Sequence, residues 1–451
     1  MSDQNPNVIW ILCDQLRAQA FSYRGDANLH TPNIDNLARE GMRFDCAIAG
    51  TPWCTPFRGA LITGQYPHQV GTIRTPSPLD PKYPTIANAF TRSGYHTAWI
   101  GKWHLHGSNG RVVIPPTHRG GFEYWLGYEN NNSQNDSWVH GSGHEEPMRL
   151  PGYETDSLTD LFLDHLQAHV RPKETGNGYK PFFACLSVQP PHNPYVPPTN
   201  PSYPDTGPSP NDIQFRPNVP HADWVRERVA LDLAGYYAMI RNLDWNLGRI
   251  RKALKDMGID RETYIIFFSD HGDMLGSHGQ REKSSPWEEA VRIPFIVAKT
   301  GGVESMRAGR TSAVINHVDI APTTLGLCGI PKPKDMVGFD YSANCLREED
   351  HGYKGEPVEA EEPDSAYLQQ IPRKHHPHSV NKQWRAVVMR DGWKYVCTPG
   401  NDWLLHNTRE DPYEMANLAH DTFFKEQRRR CRDRLQRWIE ETGDEFPLPE
   451  E

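Results

Sequence analysis

The sequence predicts an α/β fold, with a large, mostly parallel sheet flanked by helices on both faces and a smaller C-terminal antiparallel sheet with a helix. Two observations carry this prediction. Residues 1–330 alternate short apolar runs with capped or amphipathic segments, which is the pattern of β-α units around a parallel sheet. After residue 330, a charged segment rich in proline and glycine leads into short aromatic runs separated by turns, which is typical of antiparallel strands. We therefore divide the chain of 451 residues into an α/β domain, 1–330, and a smaller α+β subdomain, 331–451.

Five apolar runs are predicted to be strands of the large sheet. They are Val8–Cys13, Thr97–Gly101, Phe182–Val188, Tyr264–Ser269 and Pro294–Ala298. Two helices are indicated by their ends. One Thr-Pro pair precedes Asn33–Glu40, another precedes Phe57–Thr63, and a glycine follows each segment. By this pattern Thr55 is the N-cap of the second helix. The longest helix is expected from Asp223 to Met257, where apolar residues recur at steps of three and four.

The small sheet and the loops are predicted from the same kind of pattern. Three aromatic runs predict strands at Trp384–Met389, Trp393–Thr398 and Trp403–His406. A basic amphipathic helix, from Thr422 to Thr442, closes the chain. Two long polar or proline-rich segments, Gly127–Gly143 and Gln189–Pro220, are predicted to be loops. Loops of this length are usually binding loops or lids.

Composition argues against several kinds of partner and site. The formal charge of −9, from 57 acidic and 48 basic residues without a long basic run, argues against nucleic acid or an anionic membrane as a partner. The eight cysteines show no CxxC spacing, so we expect reduced core thiols and no Cys/His zinc site. The apolar stretch near the start, Val8–Cys13, is too short for a secretory or membrane-spanning segment, so we expect a soluble, cytoplasmic protein. Homo-oligomerisation is left open.

Polar residues follow four of the predicted strands, at the point where each strand ends. They are Asp14 and Gln15, Lys102 and His104, His192, and Asp270 and His271. The carboxyl ends of parallel strands share one edge of a sheet, where α/β enzymes place their ligand crevices. One aspartate after a strand is more often a turn residue, but four such events together predict a site.

Part of this set is suited to a metal ion. Asp14, Asp270 and neutral His271, with the amide oxygen of Gln15, offer a hard ligand set made mostly of oxygen atoms. Such a set suits Ca²⁺, Mg²⁺ or Mn²⁺ better than thiophilic metals. These residues leave the three ions open, and the imidazole nitrogen tilts the set a little toward Mn²⁺. We expect one divalent ion and assign Ca²⁺ as preferred, with Mn²⁺ or Mg²⁺ as alternatives.

Cys54 lies at the head of a predicted helix, in the segment Cys54–Gly64. There the positive end of the helix dipole stabilises a thiolate or another anion. Arg58 lies one turn along the same helix and can reach back toward position 54. A cysteine without such neighbours is most often a structural residue, and Pro56 and Arg58 distinguish Cys54 from that case.

Five separated segments, in this order, resemble the formylglycine-dependent sulfatases, within the wider alkaline-phosphatase-like superfamily. They are Cys54–Gly64, the run from Ser93 through Gly101-Lys102-Trp103-His104, Pro190-Pro191-His192, Asp270-His271-Gly272 and Lys283. The tail is similar too, at Trp393-Lys394-Tyr395 and Asp411–Leu418. The resemblance implies an enzyme that hydrolyses sulfate monoesters, of a small molecule or a carbohydrate, with release of inorganic sulfate.

The resemblance also implies a modified nucleophile and its metal site. Cys54 would be oxidised to formylglycine during maturation by a formylglycine-generating enzyme, and one hydroxyl of the aldehyde hydrate would attack sulfur. The metal ligands carried over are Asp14, Gln15, Asp270, His271 and the modified Cys54.

Further residues are implied to act on the substrate. Arg58 would hold the hydrate, while Lys102, His192 and Lys283 would neutralise the sulfate oxygens as charge builds in the transition state. His104 would take the proton from the second hydroxyl, so that sulfate leaves and the aldehyde is restored.

Two positions depart from the commonest family pattern. Phe57 replaces the small residue that usually precedes the arginine. The family also commonly has two adjacent aspartates after the first strand. The second of these is Gln15 here. Some relatives that resemble phosphonate monoester and phosphodiester hydrolases share the Asp-Gln and Asp-His pairs, so this activity is the alternative function. The pair Lys102 and His104 favours sulfate monoesters. A third hypothesis is a non-catalytic sulfoglycan-binding protein on the same fold, and the alcohol part of the ester, whether sugar, aryl or alkyl, stays open.

Two weaker patterns concern binding surfaces. Trp53, Tyr128, Trp138 and His140 flank or occupy predicted loops and suggest a wall that stacks a sugar or an aryl group, although a lone aromatic residue is usually packing. The cluster His375-His376-Pro377-His378 is more consistent with a solvated loop than with a metal site.

Overall fold

A ten-stranded mixed sheet forms the centre of the computed structural model, which describes residues 5–108, 110–171, 178–198, 207–299, 301, 306–346, 361–373 and 379–450. Its strands are β1 (Asn7–Cys13), β2 (Met42–Ile48), β3 (His96–Lys102), β4 (Tyr124–Tyr128), β5 (Trp138–Gly141), β6 (His144–Arg149), β7 (Phe182–Val188), β8 (Thr263–Ser269), β9 (Phe295–Lys299) and β10 (Gly309–Asn316). In space the order is β10-β2-β9-β8-β1-β7-β3-β4-β5-β6. Four neighbours, β8, β1, β7 and β3, run parallel, so their carboxyl ends lie at one edge of the sheet.

Helices flank this sheet, as the sequence predicts. They are α1 (Pro32–Glu40), α2 (Cys54–Thr63), α3 (Pro67–Val70), α4 (Ile86–Arg92), α5 (Glu154–Val170), α6 (Asp223–Asp256), α7 (Glu288–Val291), α8 (Ile320–Leu327) and α9 (Lys425–Thr442). In one group α5 contacts β7, α1 contacts β9 and α6 packs on both of these helices, whereas α2, α4 and α8 pack together as a second group. All residues of β1, β7 and β8 are buried, which is expected of central parallel strands covered on both faces.

A second sheet lies in the C-terminal part of the chain. Its strands, in spatial and chain order, are β11 (Ser365–Gln370), β12 (Trp384–Met389), β13 (Trp393–Thr398) and β14 (Asn401–Asn407), all antiparallel. On one face Tyr367 and Val387 pack with Leu435 of α9. On the other face Trp384 packs in a cluster with Val314 of the large sheet. The small sheet therefore lies between α9 and the larger domain.

The five strands predicted for the large sheet are confirmed to within one residue at each end, and β9 is antiparallel to β8. The prediction of a loop over Gly127–Gly143 is wrong, because this segment contains the end of β4 and all of β5. The hairpin partner β6 has the sequence HEEPMR and buries none of its residues, so no apolar pattern marks it. Strands β2, β10 and β11 were also not predicted, since each mixes polar with apolar residues.

The long helices agree with their predicted spans. Helix α6 begins at Asp223 as predicted and ends at Asp256, and α9 ends at Thr442, with a short 3-10 turn, Thr422–Phe424, before it. Among the described residues, no helix combines the length and apolar character needed to cross a bilayer. The cluster His375-His376-Pro377-His378 lies outside the described residues.

Candidate active site

All ten predicted site residues are buried, each with 7% or less of its surface exposed. Seven follow the parallel strands: Asp14 and Gln15 after β1, Lys102 and His104 at the end of β3, His192 after β7, and Asp270 and His271 after β8. Three come from elsewhere in the chain: Cys54 and Arg58 from α2, and Lys283 from the loop before α7. The predicted convergence at one sheet edge is therefore what the structure contains.

Cys54 lies at the centre of this group. Its Sγ is 3.2 Å from His271 Nε2, 3.2 Å from Lys283 Nζ and 3.6 Å from Asp14 Oδ1. Helix α2 begins at Cys54 with Trp53 as its N-cap, so the prediction of Thr55 as the N-cap is wrong. A proline two residues into the helix is tolerated because backbone N–H groups in the first turn have no partner within the helix. The side chain thus lies closer to the positive end of the helix than predicted.

Two carboxylates and an imidazole surround Cys54 with ligand atoms. One donor atom from each of Asp14, Cys54, Asp270 and His271 lies within 4.8 Å of the others, and all four residues are buried. His271 Nδ1 donates to the carbonyl oxygen of Gly272, 3.0 Å away, so the lone pair of Nε2 is directed toward the two carboxylates. Burial and the adjacent Asp14 raise the pKa of Asp270 to about 6. A bound cation would relieve this repulsion, and the donor set fits a hard divalent ion.

Gln15 lies beside this donor set, and its backbone N–H donates to Asp270 Oδ1 at 3.0 Å. Its backbone adopts a left-handed conformation, with φ of 69°. Nε2 donates to Asp273 Oδ2 at 2.6 Å, and Oε1 accepts from Lys283 Nζ at 2.7 Å. Because the Nε2 donor is committed to Asp273, the oxygen is held toward the site.

Asp273 is a site residue that the sequence analysis missed. It is completely buried, and it also accepts hydrogen bonds from Tyr195 Oη and from the backbone N–H groups of Leu275 and Glu282. The sequence signal for Asp273 is its position three residues after Asp270. The prediction considered only residues close to the end of a strand, so it did not include Asp273.

Arg58 and Lys102 supply positive charge beside the carboxylates. The Arg58 guanidinium lies 3.2 Å from Asp270 and 3.4 Å from Asp14, and Lys102 Nζ lies 2.6 Å from Asp14 Oδ2. Burial opposes the charged form of Asp14, but Lys102, Lys283 and Arg58 outweigh it and hold the pKa of Asp14 well below its usual range. Asp14 is therefore an anion at neutral pH.

The two remaining histidines are neutral. His192 Nδ1 donates to Asn193 O, and its Nε2 accepts from Lys283 Nζ at 2.8 Å. Burial and the nearby Lys102 and Arg58 lower the pKa of His104 well below its usual range. His104 Nδ1 is buried and has no hydrogen-bond partner among the described residues. A neutral imidazole with a free nitrogen can accept a proton.

The proposed aromatic wall is not an open surface. Tyr128 is buried with its hydroxyl donating to Glu154, and His140 is buried with Nε2 accepting from the N–H of Ile114. Trp53 is buried as well, whereas Trp138 is half-buried with Arg111 over its ring. These side chains act mainly in packing.

Comparison with known proteins agrees with this geometry. A profile of the sulfatase family matches residues 6–330, and a profile of the C-terminal part of N-sulphoglucosamine sulphohydrolase matches residues 276–441. An ulvan-active sulfatase of Formosa agariphila is 30% identical over 443 residues, which cover 98% of this chain and 82% of the relative.

Solved structures agree as well. One from work on glycosaminoglycan metabolism by Bacteroides thetaiotaomicron has a TM-score of 0.80 and 25% identity, and covers 98% of this chain and 97% of its own. The phosphonate monoester hydrolase of Agrobacterium radiobacter shares the fold, with a TM-score of 0.71, 24% identity and coverage of 97% and 96%. From the family profile and the relatives together, this chain belongs to the sulfatase family and is a sulfuric ester hydrolase.

Proposed function

We propose that the protein releases inorganic sulfate from sulfate monoesters of carbohydrates, using a formylglycine derived from Cys54 and one divalent ion, with Ca²⁺ preferred. The observation that carries the proposal is the position of Cys54. Because oxidation replaces Sγ by oxygen on Cβ, the sulfur atom marks where an oxygen of the modified side chain would lie, between the ligand atoms of Asp14 and His271 and the ammonium group of Lys283. The carbohydrate part of the proposal is supported by relatives whose names specify ulvan and glycosaminoglycans.

The modified residue would supply a hydrated aldehyde, whose hydroxyl is a nucleophile toward sulfur. Asp14, Asp270, His271 and Gln15 would hold the ion, which supplies Lewis acidity at the same place. Hydrogen bonds from Arg58 Nη1 to Lys102 O and Ser187 Oγ fix the arginine beside Cys54, so its guanidinium is already positioned before substrate binds.

The cations of the site would bind the sulfate group. Lys102 and Lys283 carry N–H donors in a buried site, where they stabilise charge on oxygen more strongly than in water. His192 orients Lys283 through its Nε2 acceptor. His104 is neutral and would accept the proton that must leave before turnover is complete.

Mass spectrometry of the peptide that contains Cys54 tests the nucleophile. In protein made together with a formylglycine-generating enzyme, we expect an aldehyde at position 54 and thiols at Cys13 and Cys46. An unmodified thiol at position 54 in an actively hydrolysing preparation would overturn the assignment.

The pair Asp14 and Gln15 keeps a phosphonate monoester or phosphodiester hydrolase as the second candidate. A single anionic ligand after β1 leaves one negative charge fewer around the ion than two adjacent aspartates would. We expect kcat/KM for an aryl sulfate to exceed that for the matched aryl phosphonate monoester, because the cations are arranged around a neutral base at His104. Measuring kcat/KM for both esters with one preparation of modified enzyme decides between the two candidate functions. A preference for the phosphonate by orders of magnitude would make the phosphonate hydrolase the first candidate.

Replacing Asp273 by asparagine is expected to weaken Ca²⁺ binding by roughly 10–100-fold, the usual effect of losing a residue that orients a metal ligand. Asparagine places an N–H₂ group where Gln15 Nε2 and Tyr195 Oη now donate, so the Gln15 amide should turn its oxygen away from the ion. Calorimetric titration of metal-free protein with Ca²⁺ measures the change. The exposed Asp164→Asn is the matched control, and equal affinities of both variants would contradict the orienting role.

A further inference from the structure

A cavity of about 740 Å³ lies between the large sheet and the small sheet, and none of its lining residues belongs to the candidate active site. Its walls come from β2, β10, the loop after β1, the segment before α6, helix α7 and the turns that follow β12 and β14. Its volume is within the range of small-ligand sites, roughly 300–1,000 Å³. It can hold a few sugar units but no folded domain.

Six arginines line this cavity: Arg24, Arg216, Arg292, Arg310, Arg390 and Arg409. The carboxylates in its walls are Asp26, Asp45 and Glu288. Two glutamates outside the lining also form ion pairs with these arginines, Glu289 with Arg216 and Glu362 with Arg390. Guanidinium groups therefore outnumber carboxylates here, in a chain whose formal charge is −9.

The excess of positive charge can be located. Asp45 is shared, since one oxygen pairs with Arg24 at 2.9 Å and the other with Arg310 at 2.6 Å. Arg409 donates to the carbonyl oxygen of Arg390, a neutral acceptor, at 2.5 Å. Arg310 and Arg409 are exposed where they border the cavity. Their remaining N–H groups are therefore accessible to a ligand.

The chemistry of the lining selects an anionic, hydroxyl-rich ligand. Guanidinium groups bind sulfate and carboxylate oxygens in a forked geometry. Neutral polar side chains lie between them, including Asn28, Gln214 and Thr408. Tyr413, whose ring stacks with Arg216 at 4.9 Å, adds a flat surface.

We propose that this cavity is a second, non-catalytic site that binds a sulfated segment of a carbohydrate chain. The identification of the ligand as carbohydrate rests on the proposed function, whereas anion binding rests on the arginines alone. A chain held here keeps its other sulfate esters at high local concentration near the active site, which favours long substrates over short ones.

The double variant Arg310→Ala/Arg409→Ala tests the site, because both residues border the cavity and neither contacts the catalytic groups. The probe is dextran sulfate, with unsulfated dextran as the blank, titrated into protein that also carries Cys54→Ala. We expect the affinity for dextran sulfate to fall by about tenfold or more and the salt dependence of binding to weaken. Arg92→Ala/Arg171→Ala removes the same charge from exposed positions and is the matched control.

Hydrolysis separates this proposal from the previous one. In the Cys54-containing enzyme, kcat/KM for a small aryl sulfate should be equal in wild type and Arg310→Ala/Arg409→Ala, whereas KM for a sulfated polysaccharide should rise. Unchanged dextran sulfate affinity, or an equal loss in the control variant, would overturn the second site. Failure of the proposed function would instead appear as absent sulfate release in wild type, with the binding difference intact.

Discussion

Replacing Cys54 by alanine is expected to lower kcat for sulfate release by on the order of 10⁴-fold or more, the usual result of removing a nucleophile. Alanine cannot be oxidised to an aldehyde, and no other cysteine lies within reach of the ligand atoms in the described site. The side chain is small and already buried, so the fold should survive. Release of sulfate from an aryl ester, measured at saturating substrate, gives the ratio.

The matched control is Cys328→Ala, since Cys328 is half-buried beside the chain start and does not contact the active site. It should retain wild-type kcat. Thermal unfolding of both variants checks that any loss reflects chemistry. If Cys54→Ala hydrolysed the ester at the wild-type rate, the nucleophile would have to be another group.

Lys394→Ala is expected to lower the free energy of unfolding by about 3–5 kcal/mol, because it breaks a buried ion pair from one side. Lys394 lies on β13 and is completely buried. Its Nζ is 2.5 Å from Glu414, 3.1 Å from Glu288 and 2.8 Å from the carbonyl oxygen of Pro286. Burial already raises the pKa of Glu414 to about 7 with the lysine in place. In Lys394→Ala the carboxylates of Glu288 and Glu414 would stay buried next to each other and would lose the ammonium group that they share.

Denaturant-induced unfolding followed by circular dichroism measures this loss. Lys82→Ala is the control, because Lys82 forms an exposed pair with Asp80 and should not change the midpoint. Adding Glu414→Gln to Lys394→Ala should recover part of the stability by removing one of the uncompensated charges. A wild-type midpoint for Lys394→Ala would show that the ion pair adds nothing to the junction of the two sheets.

The strands that carry the site were predictable for a physical reason. β1, β7 and β8 are buried on both faces, so they appear in the sequence as uninterrupted apolar runs. Their parallel arrangement then determines where the polar residues after them meet. The hairpin of β5 and β6 lies at the sheet edge, where polar residues are tolerated, and it has no comparable pattern.

The site itself was predictable where chemistry and chain position coincide. Asp14, Asp270 and His271 follow strands directly, and Cys54 opens a helix. Asp273 was missed because its role depends on the rotamer of Gln15, which only tertiary contacts determine. The predicted start of α2 is two residues too late, since a Thr-Pro pair within the first turn resembles one placed just before it.

A single guanidinium connects the middle of the large sheet to the reaction centre. Arg58 bonds to Lys102 O on β3 and Ser187 Oγ on β7, and it pairs with Asp14 after β1 and Asp270 after β8. Four adjacent strands therefore share one buried cation. We therefore expect thermal inactivation to coincide with the melting of the central sheet.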